Sequence, residues 1–256
     1  MALLTDLDAQ PSVRTMSERP SPIVARCHPA LEGLLPVPVP ARAALPDWLR
    51  AMPSDVESPL IGEAVRTLKH CSPMIDALAL GFILPLPARV EARGGALHWD
   101  WDFPVIEDAP LSRAPLGVHV PEQASGSPLA PAEGGFIVKF LNYWSLSAPP
   151  GWQILFTHPF GHPDLPFRTL TGLVDADGFR DGYVHFPALW PNPGWEGVLE
   201  AGTPVAQAIA LPRMAPSIET RVMTSDEVTA SRTVQEALQS ERGVYRRSYR
   251  IGPASA

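Results

Sequence analysis

Proline and glycine constrain this chain more than any other feature of its sequence. The 256 residues include 31 Pro and 19 Gly, and both residue types weaken helices when they lie in the interior. The segment Leu34–Pro40 holds three prolines and must be extended, because proline fixes φ and disfavours helix in the preceding residue. We therefore predict a mainly β fold in which most helices are short.

The chain is predicted to form one domain with polar ends. Residues 1–22 are polar, contain several prolines and show no apolar periodicity, which is typical of a disordered segment. Residues 23–256 then form a single mainly β domain. Its end is a basic tail over 242–256, in which four arginines alternate with tyrosines. We expect this tail to be solvated, although such a cluster could also hold an anion.

Four helices are predicted. Thr224 and Glu227 form the pattern of a capping box before apolar residues at helical spacing, which indicates an amphipathic helix over about 225–241 that packs on the β body. The other three lie near the N-terminal end, where Pro46 and Ser72 suit helix starts and Ile61, Val65 and Leu68 recur at helical spacing. These three cover 46–50, about 62–70 and 72–78.

Strand patterns begin at residue 80. The pair Gly94-Gly95 is typical of a hairpin turn, and we predict a long loop over 107–134. Gln207 interrupts an otherwise apolar strand and needs a hydrogen-bond partner if it is buried. Strands are predicted at 81–87, 89–92, 98–103, 136–142, 152–157, 167–174, 182–187 and 205–211.

Charge and cysteine content narrow the classes of partner. The net charge of −7 disfavours binding to a nucleic-acid backbone. No apolar run approaches the ~18 residues that a membrane helix needs, so we expect no membrane partner. Two cysteines in a chain of this size do not make a disulfide framework, and we expect a cytoplasmic protein.

The segment from His158 to Asp164 carries the best candidate metal ligands. Two imidazoles, His158 and His162, and the Asp164 carboxylate are the ligand types of a facial-triad iron site or of zinc with open positions. The flanking prolines exclude the helix that would make the histidines converge. The alternative is a proline-rich loop in which the imidazoles form local hydrogen bonds.

Two further groups of residues are candidates for a site. Arg168 lies close in sequence to Asp175 and Asp177, which predicts either an ion pair that orders the acidic turn or an anion-binding arginine with an aspartate as general base. Trp190 and Trp195 flank a proline-rich loop that could form a ligand wall or a partner-contact surface. We expect the acidic turn to be a solvent-facing bend between two paired strands.

The segment 164–211 resembles the dUTPase and dCTP-deaminase group, which has the β-clip fold. Gly172-Leu173-Val174-Asp175 and the stretch from Gly202 to Gln207 stand where that group has its turn and its later strand. The resemblance implies a β-clip-like second half, a water-activating carboxylate at Asp175, an aromatic at Phe179 that stacks on the ligand, and a homotrimer. The chain also resembles a family of bacterial and phage proteins of unknown function, over about residues 25–215.

Two classes of function stay open. We favour a non-catalytic ligand-binding or assembly protein, because no complete catalytic set can be identified in the sequence; its partner would be a small molecule or another protein. The alternative is an enzyme that acts on a small polar molecule. Such an enzyme would use iron or zinc at His158, His162 and Asp164, or Asp175 as a dUTPase-like base.

Overall fold

The structure is a computed structural model that describes residues 23–100, 103–131 and 135–251. The predicted disordered segment 1–22 and the last residues of the basic tail lie outside the described residues. The fold is mainly β, as predicted, with short helices near the N-terminal end and a longer helix near the C-terminal end. Among the described residues, no helix is both long enough and apolar enough to cross a membrane.

The elements follow one another closely along the chain. The α-helices are α1 (Asp47–Ala51), α2 (Ser72–Leu78) and α3 (Ser225–Ser240). The strands are β1 (Val24–Arg26), β2 (Val39–Pro40), β3 (Asp55–Ser58), β4 (Glu63–Arg66), β5 (Phe82–Pro85), β6 (Val90–Arg93), β7 (Ala96–His98), β8 (Leu116–His119), β9 (Ile137–Phe140), β10 (Ser145–Ser147), β11 (Trp152–Thr157), β12 (Arg168–Thr169), β13 (Gly172–Val174), β14 (Phe186–Leu189), β15 (Gly197–Leu199) and β16 (Pro204–Pro212).

Two antiparallel sheets share the main hydrophobic core. One has the strand order β13-β11-β16-β5-β2 and the other the order β12-β14-β9-β8. Strand β11 alternates, so Ile154 and Phe156 are buried and their neighbours are less so, as expected of a strand with one face in the core. Phe156 meets Phe186 of the second sheet with ring centroids 5.3 Å apart. Full burial of each such side chain stabilises the fold by about 1.5–3 kcal/mol.

The acidic turn differs from its prediction. Strand β13 pairs with β11 in the five-stranded sheet, whereas the next strand, β14, pairs with β12 and β9 in the other sheet. The turn is therefore a crossing between sheets, and the predicted bend between two paired strands is wrong. The reason is Ala176, which is buried in the core and whose carbonyl accepts a hydrogen bond from Ala148 N at 3.1 Å.

Two N-terminal predictions are confirmed and a third is wrong. Helices α1 and α2 form where expected, although Ser72 is the first helical residue of α2 and Cys71 is its cap. The predicted helix at 62–70 is instead strand β4 of the β3–β4 hairpin, followed by a short 3₁₀-helix at Leu68–His70. Ile61 and Leu68 are exposed, so their helical spacing does not mark a buried face.

In the middle of the chain, the predicted loop contains regular structure and a predicted strand is largely absent from the described residues. The predicted loop 107–134 contains strand β8 and a 3₁₀-helix at Pro121–Ala124. The predicted strand 98–103 is wrong for the described residues, because β7 covers Ala96–His98 and ends where that strand should begin; residues 101–102 lie outside the described part. The Gly94-Gly95 turn is confirmed, with φ angles of 58° and 75° that glycine tolerates best.

The C-terminal helix forms as predicted but does not pack as predicted. Both hydrogen bonds of the Thr224–Glu227 capping box are present, and α3 ends at Ser240. No residue of α3 is buried, so the expected packing on the β body is wrong. A π-helical turn follows at Tyr245–Tyr249, and Arg250 joins Asp76 of α2 in an ion pair of 2.6 Å.

Candidate functional site

The candidate site is the loop of residues 158–167 that joins β11 to β12, which we call the cleft loop. Hydrogen bonds from distant elements hold its backbone: Phe160 N donates to the Gln207 side chain at 2.9 Å, and the Trp48 indole donates to Gly161 O at 2.6 Å. Gly161 has a φ of 77°, and a Cβ there would lie 2.6 Å from Leu78. The loop is therefore pressed against α1 and the end of α2, and its shape is fixed before any ligand arrives.

His158 supports the loop with both of its ring nitrogens. Thr169 N donates to Nδ1 at 3.3 Å, so Nδ1 is an acceptor and the proton of the neutral ring is on Nε2, which donates to His162 O at 3.2 Å. Burial is the main cause that lowers the pKa of His158, which keeps the ring in this neutral form. His158 therefore has no unused lone pair to offer a metal.

His162 is the free imidazole of the loop. Among the described residues its ring nitrogens have no hydrogen-bond partner, and burial lowers its pKa while the nearby Asp164 carboxylate opposes that shift. It lines a cleft of about 440 Å³ together with Trp48, Phe160 and Arg168. A neutral imidazole in this position can accept a proton or a hydrogen bond from a bound molecule.

Arg168 is held by backbone and not by the acidic turn. Its guanidinium donates three hydrogen bonds to carbonyl oxygens, to Leu165 at 2.8 Å, Phe167 at 2.9 Å and Pro163 at 2.8 Å. A guanidinium has five N–H donors, so two remain for a ligand. In the part of the chain that the structure describes, no carboxylate pairs with Arg168. The predicted contact of Arg168 with Asp175 and Asp177 is therefore not formed.

The partner of the acidic turn is Arg213. Its Nη2 lies 2.8 Å from Asp175 Oδ1 and 2.7 Å from Asp177 Oδ1. Gln153 also donates to Asp175 at 2.6 Å, and Gly151 N donates to Asp177 at 2.9 Å. The hydrogen bond from Gln153, followed by that from Arg213, lowers the pKa of Asp175. The pKa of Asp177 is lowered mainly by the hydrogen bond from Arg213. Both carboxylates are thus held ionised, which weakens either one as a base.

The predicted metal ligands are close in sequence without forming a chelating group. No three or more His, Cys, Asp or Glu side chains are arranged to hold a metal ion in the described ranges. His158 would have to release its hydrogen bond from Thr169 before it could offer an electron pair. The residues present therefore do not fit the predicted iron or zinc in this arrangement.

The predicted aromatic wall divides into a buried core residue and a partly buried residue packed against it. Trp190 is only 3% exposed and lies against Phe167, with ring centroids 6.2 Å apart, and against Trp195 at 5.7 Å. It packs the core instead of facing a ligand, while Trp195 covers it from outside. Phe179 is exposed, and its ring lies so close over Gly182 that a Cβ there would clash with it.

Sequence comparisons and structure comparisons give different results. No protein-family model matches the chain, and no curated protein matches it. Solved phage dUTPase structures resemble part of it. A mutant dUTPase of Staphylococcus bacteriophage 80alpha with dUpNHpp is 15% identical and covers 43% of this chain and 89% of that chain, with a TM-score of 0.26. A mutant dUTPase from phage phi11 of S. aureus is 15% identical and covers 43% and 98%, with the same TM-score of 0.26. These matches agree with the resemblance seen in the sequence and carry no argument about activity or assembly.

Sequence reasoning missed the residues that support the cleft loop from afar. Trp48 was recognised only as part of a helix, and nothing in the local sequence connects it to Gly161. Arg213 follows a strand end in a stretch without periodicity, so no pattern marked it as the partner of the acidic turn. Gln207 did carry a signal, because a polar residue in an apolar strand requires a partner.

Proposed function

We propose that this protein binds, without transforming it, a small molecule that carries an anionic group, and that the cleft loop is the binding site. One observation carries the proposal. The Arg168 guanidinium is fixed by three backbone carbonyls and lacks a carboxylate partner among the described residues, and it lines the same cleft as the unpaired His162 imidazole. A carboxylate or phosphate oxygen would satisfy both features at once.

The chemistry of the cleft suits this class of ligand. An anion would accept charge-assisted hydrogen bonds from the two remaining N–H groups of Arg168, which are stronger than bonds between neutral groups. The neutral His162 ring offers a second polar contact. Trp48 and Phe160 line the same cleft and supply apolar surface for the rest of the molecule, as is usual in small-molecule sites.

Catalysis by His162 is the second candidate. Its lowered pKa leaves the ring unprotonated at neutral pH, which is the form that a general base requires. The two other catalytic versions, with a metal at His158, His162 and Asp164 or with Asp175 as base, have separate tests. Metal analysis of the purified protein checks the first of these. Incubation with a nucleotide panel, followed for turnover and thermal shift, checks the second.

Thermal-shift titration with small carboxylates and phosphates tests the binding proposal. A ligand at about 100 times its Kd stabilises the folded state by roughly 2.7 kcal/mol, which shifts Tm by several degrees in a chain of this size. His162→Ala should reduce that shift, while His98→Ala, at an exposed position outside the cleft, should leave it unchanged. Chromatography of the ligand after incubation distinguishes binding from turnover.

The binding proposal is overturned if no anion in the panel shifts Tm, or if His162→Ala and the unaltered protein respond alike. Conversion of the ligand would favour the enzyme. A cytoplasmic location is part of the proposal and is supported by the two free cysteines, Cys27 and Cys71, which are typical of a reducing compartment.

A further inference from the structure

A second cavity lies on the other face of the four-stranded sheet, away from the main core. His119 of β8 pairs with Ile137 of β9, and residues directly opposite each other in a sheet point to the same face. The residues that follow β8 fold back over these side chains. The resulting cavity of about 210 Å³ is lined by His119, Gln123, Ala124, Leu129, Ile137 and Leu170, among others.

His119 contributes a buried atom without a hydrogen-bond partner. Its Nδ1 lies 3.1 Å from Gln123 Oε1. Because an amide oxygen only accepts, Nδ1 carries the proton of the neutral ring and Nε2 presents a lone pair. Nε2 is buried and, among the described residues, unpartnered. Buried polar atoms are nearly always hydrogen-bonded, so an exception requires an explanation such as a missing ligand or water.

Hydrogen bonds of Ser127, another lining residue, hold the turn that covers this cavity. Ser127 Oγ donates to Ala124 O at 2.8 Å and accepts from Leu129 N at 3.2 Å. Backbone hydrogen bonds from Ser127 N to Ala124 O and from Ala130 N to Ser127 O, of 3.1 and 3.2 Å, close the same turn. These bonds hold the covering segment in place, and His119 Nε2 remains a buried polar atom without a partner among the described residues.

We propose that this cavity binds a small uncharged molecule that has an apolar body and one N–H or O–H group, which donates to His119 Nε2. Among the described residues, the lining contains no Lys, Arg, Asp or Glu, so an ion would enter without a counter-charge and would lose its hydration. Ala124, Ile137 and Leu170 supply apolar contact for the body of the ligand. This site is separate from the cleft loop, and neither proposal depends on the other.

Phenol and fluorobenzene form the test pair, because they have nearly the same shape and only phenol has a donor. Binding is followed by NMR on protein labelled with ¹⁵N at histidine. We expect phenol to shift the Nε2 resonance of His119 and to bind about tenfold more tightly than fluorobenzene, as the loss of one hydrogen bond to a buried acceptor implies. Equal affinities for the two probes would overturn the proposal. An Nε2 resonance that phenol does not shift would overturn it too, because His119 Nε2 would then bond only to a resident water.

Two variants localise the effect. His119→Phe keeps a ring but removes the acceptor, so phenol and fluorobenzene should bind it equally. Leu129→Trp fills the cavity from a position that is already 42% exposed, so the fold should tolerate it and both probes should lose affinity. His98→Ala, at an exposed position outside this cavity, is the control and should leave phenol binding unchanged. If Leu129→Trp folds and still binds phenol as the unaltered protein does, the cavity is not the site.

Discussion

Gln207 connects the cleft loop to the end of α2 from inside the core, and Gln207→Leu removes that connection with little change in volume. The side chain is fully buried. Its oxygen accepts from Phe160 N at 2.9 Å, and its nitrogen donates to Leu80 O at 2.7 Å and to Ala77 O at 3.3 Å. Leucine can make none of these hydrogen bonds, so the perturbation acts on a known set of backbone groups.

The magnitude follows from the groups that lose their partners. Ala77 O still accepts from Leu80 N at 3.2 Å, so Phe160 N and Leu80 O are the groups left unpaired. A buried unpaired group costs about 1–3 kcal/mol; part of that cost is offset here by water, because Phe160 and Leu80 are 37% and 49% exposed, and by the more apolar leucine side chain. We expect a loss of about 3 kcal/mol in the free energy of unfolding, which corresponds to roughly 6–12 °C in Tm for a chain of this size.

Urea denaturation and differential scanning calorimetry measure this loss. The matched control is Gln235→Leu on the exposed surface of α3, which should change stability by no more than about 0.5 kcal/mol. Gln207→Leu should also weaken ligand binding in the cleft, because Phe160 N no longer has the Gln207 side chain to bond to. If Gln207→Leu is as stable as the control variant, the hydrogen bonds of Gln207 do not hold the loop and the reasoning is refuted.

Three further predictions concern the titratable residues. Burial lowers the folded-state pKa values of three histidines from the ordinary 6.5, those of His158, His162 and His185. As the pH falls below about 6.5, the unfolded chain therefore takes up more protons than the folded one. Stability should therefore decrease from about pH 7.5 to pH 5.5, and a urea midpoint that does not move would contradict this. His158→Ala removes two hydrogen bonds and should lower the free energy of unfolding by about 2 kcal/mol. His162→Ala should lower it by under about 0.5 kcal/mol. Equal losses in chemical denaturation would show that His158 does not support the loop. Arg213→Gln removes a hydrogen bond that lowers the pKa of Asp175, so carboxyl NMR should show that pKa rising toward the ordinary 3.8, and an unchanged titration would rule out the ion pair.

Signals that act over a few residues predicted structure well. The Thr224–Glu227 capping box and the Gly94-Gly95 turn are both confirmed, because each depends on hydrogen bonds or backbone angles within one turn. Strand β11 lies where a strand was predicted, at 152–157. The β3–β4 hairpin was missed because Ile61 and Leu68, which suggested a helix, are exposed, so their spacing with Val65 does not indicate a buried face.

Packing between distant elements escaped the sequence analysis. The amphipathic pattern of α3 predicted a buried face, yet no residue of the helix is buried. Burial also requires another element that packs against the apolar face, and the pattern of one helix does not reveal whether such an element is present. Trp190 was predicted, with Trp195, to form a ligand wall or a partner-contact surface. Its ring instead fills the core beside Phe167, which only the arrangement of the two sheets decides.

The acidic turn shows why nearness in sequence misled the assignment of its partner. Asp175 directly follows β13, Gln153 lies in β11, and Arg213 directly follows β16. Because β13, β11 and β16 are consecutive neighbours in one sheet, these side chains meet at its end, although Arg213 is 38 residues away from Asp175.

Arg168 is much closer to Asp175 in sequence, but its strand β12 belongs to the other sheet, so its guanidinium turns to the carbonyls of its own loop. Because the chain changes sheets between β12 and β13, Arg168 is separated from the carboxylates and its charge stays available in the cleft. The sequence could indicate which residues are charged, while the strand order decides which of those charges remain uncompensated.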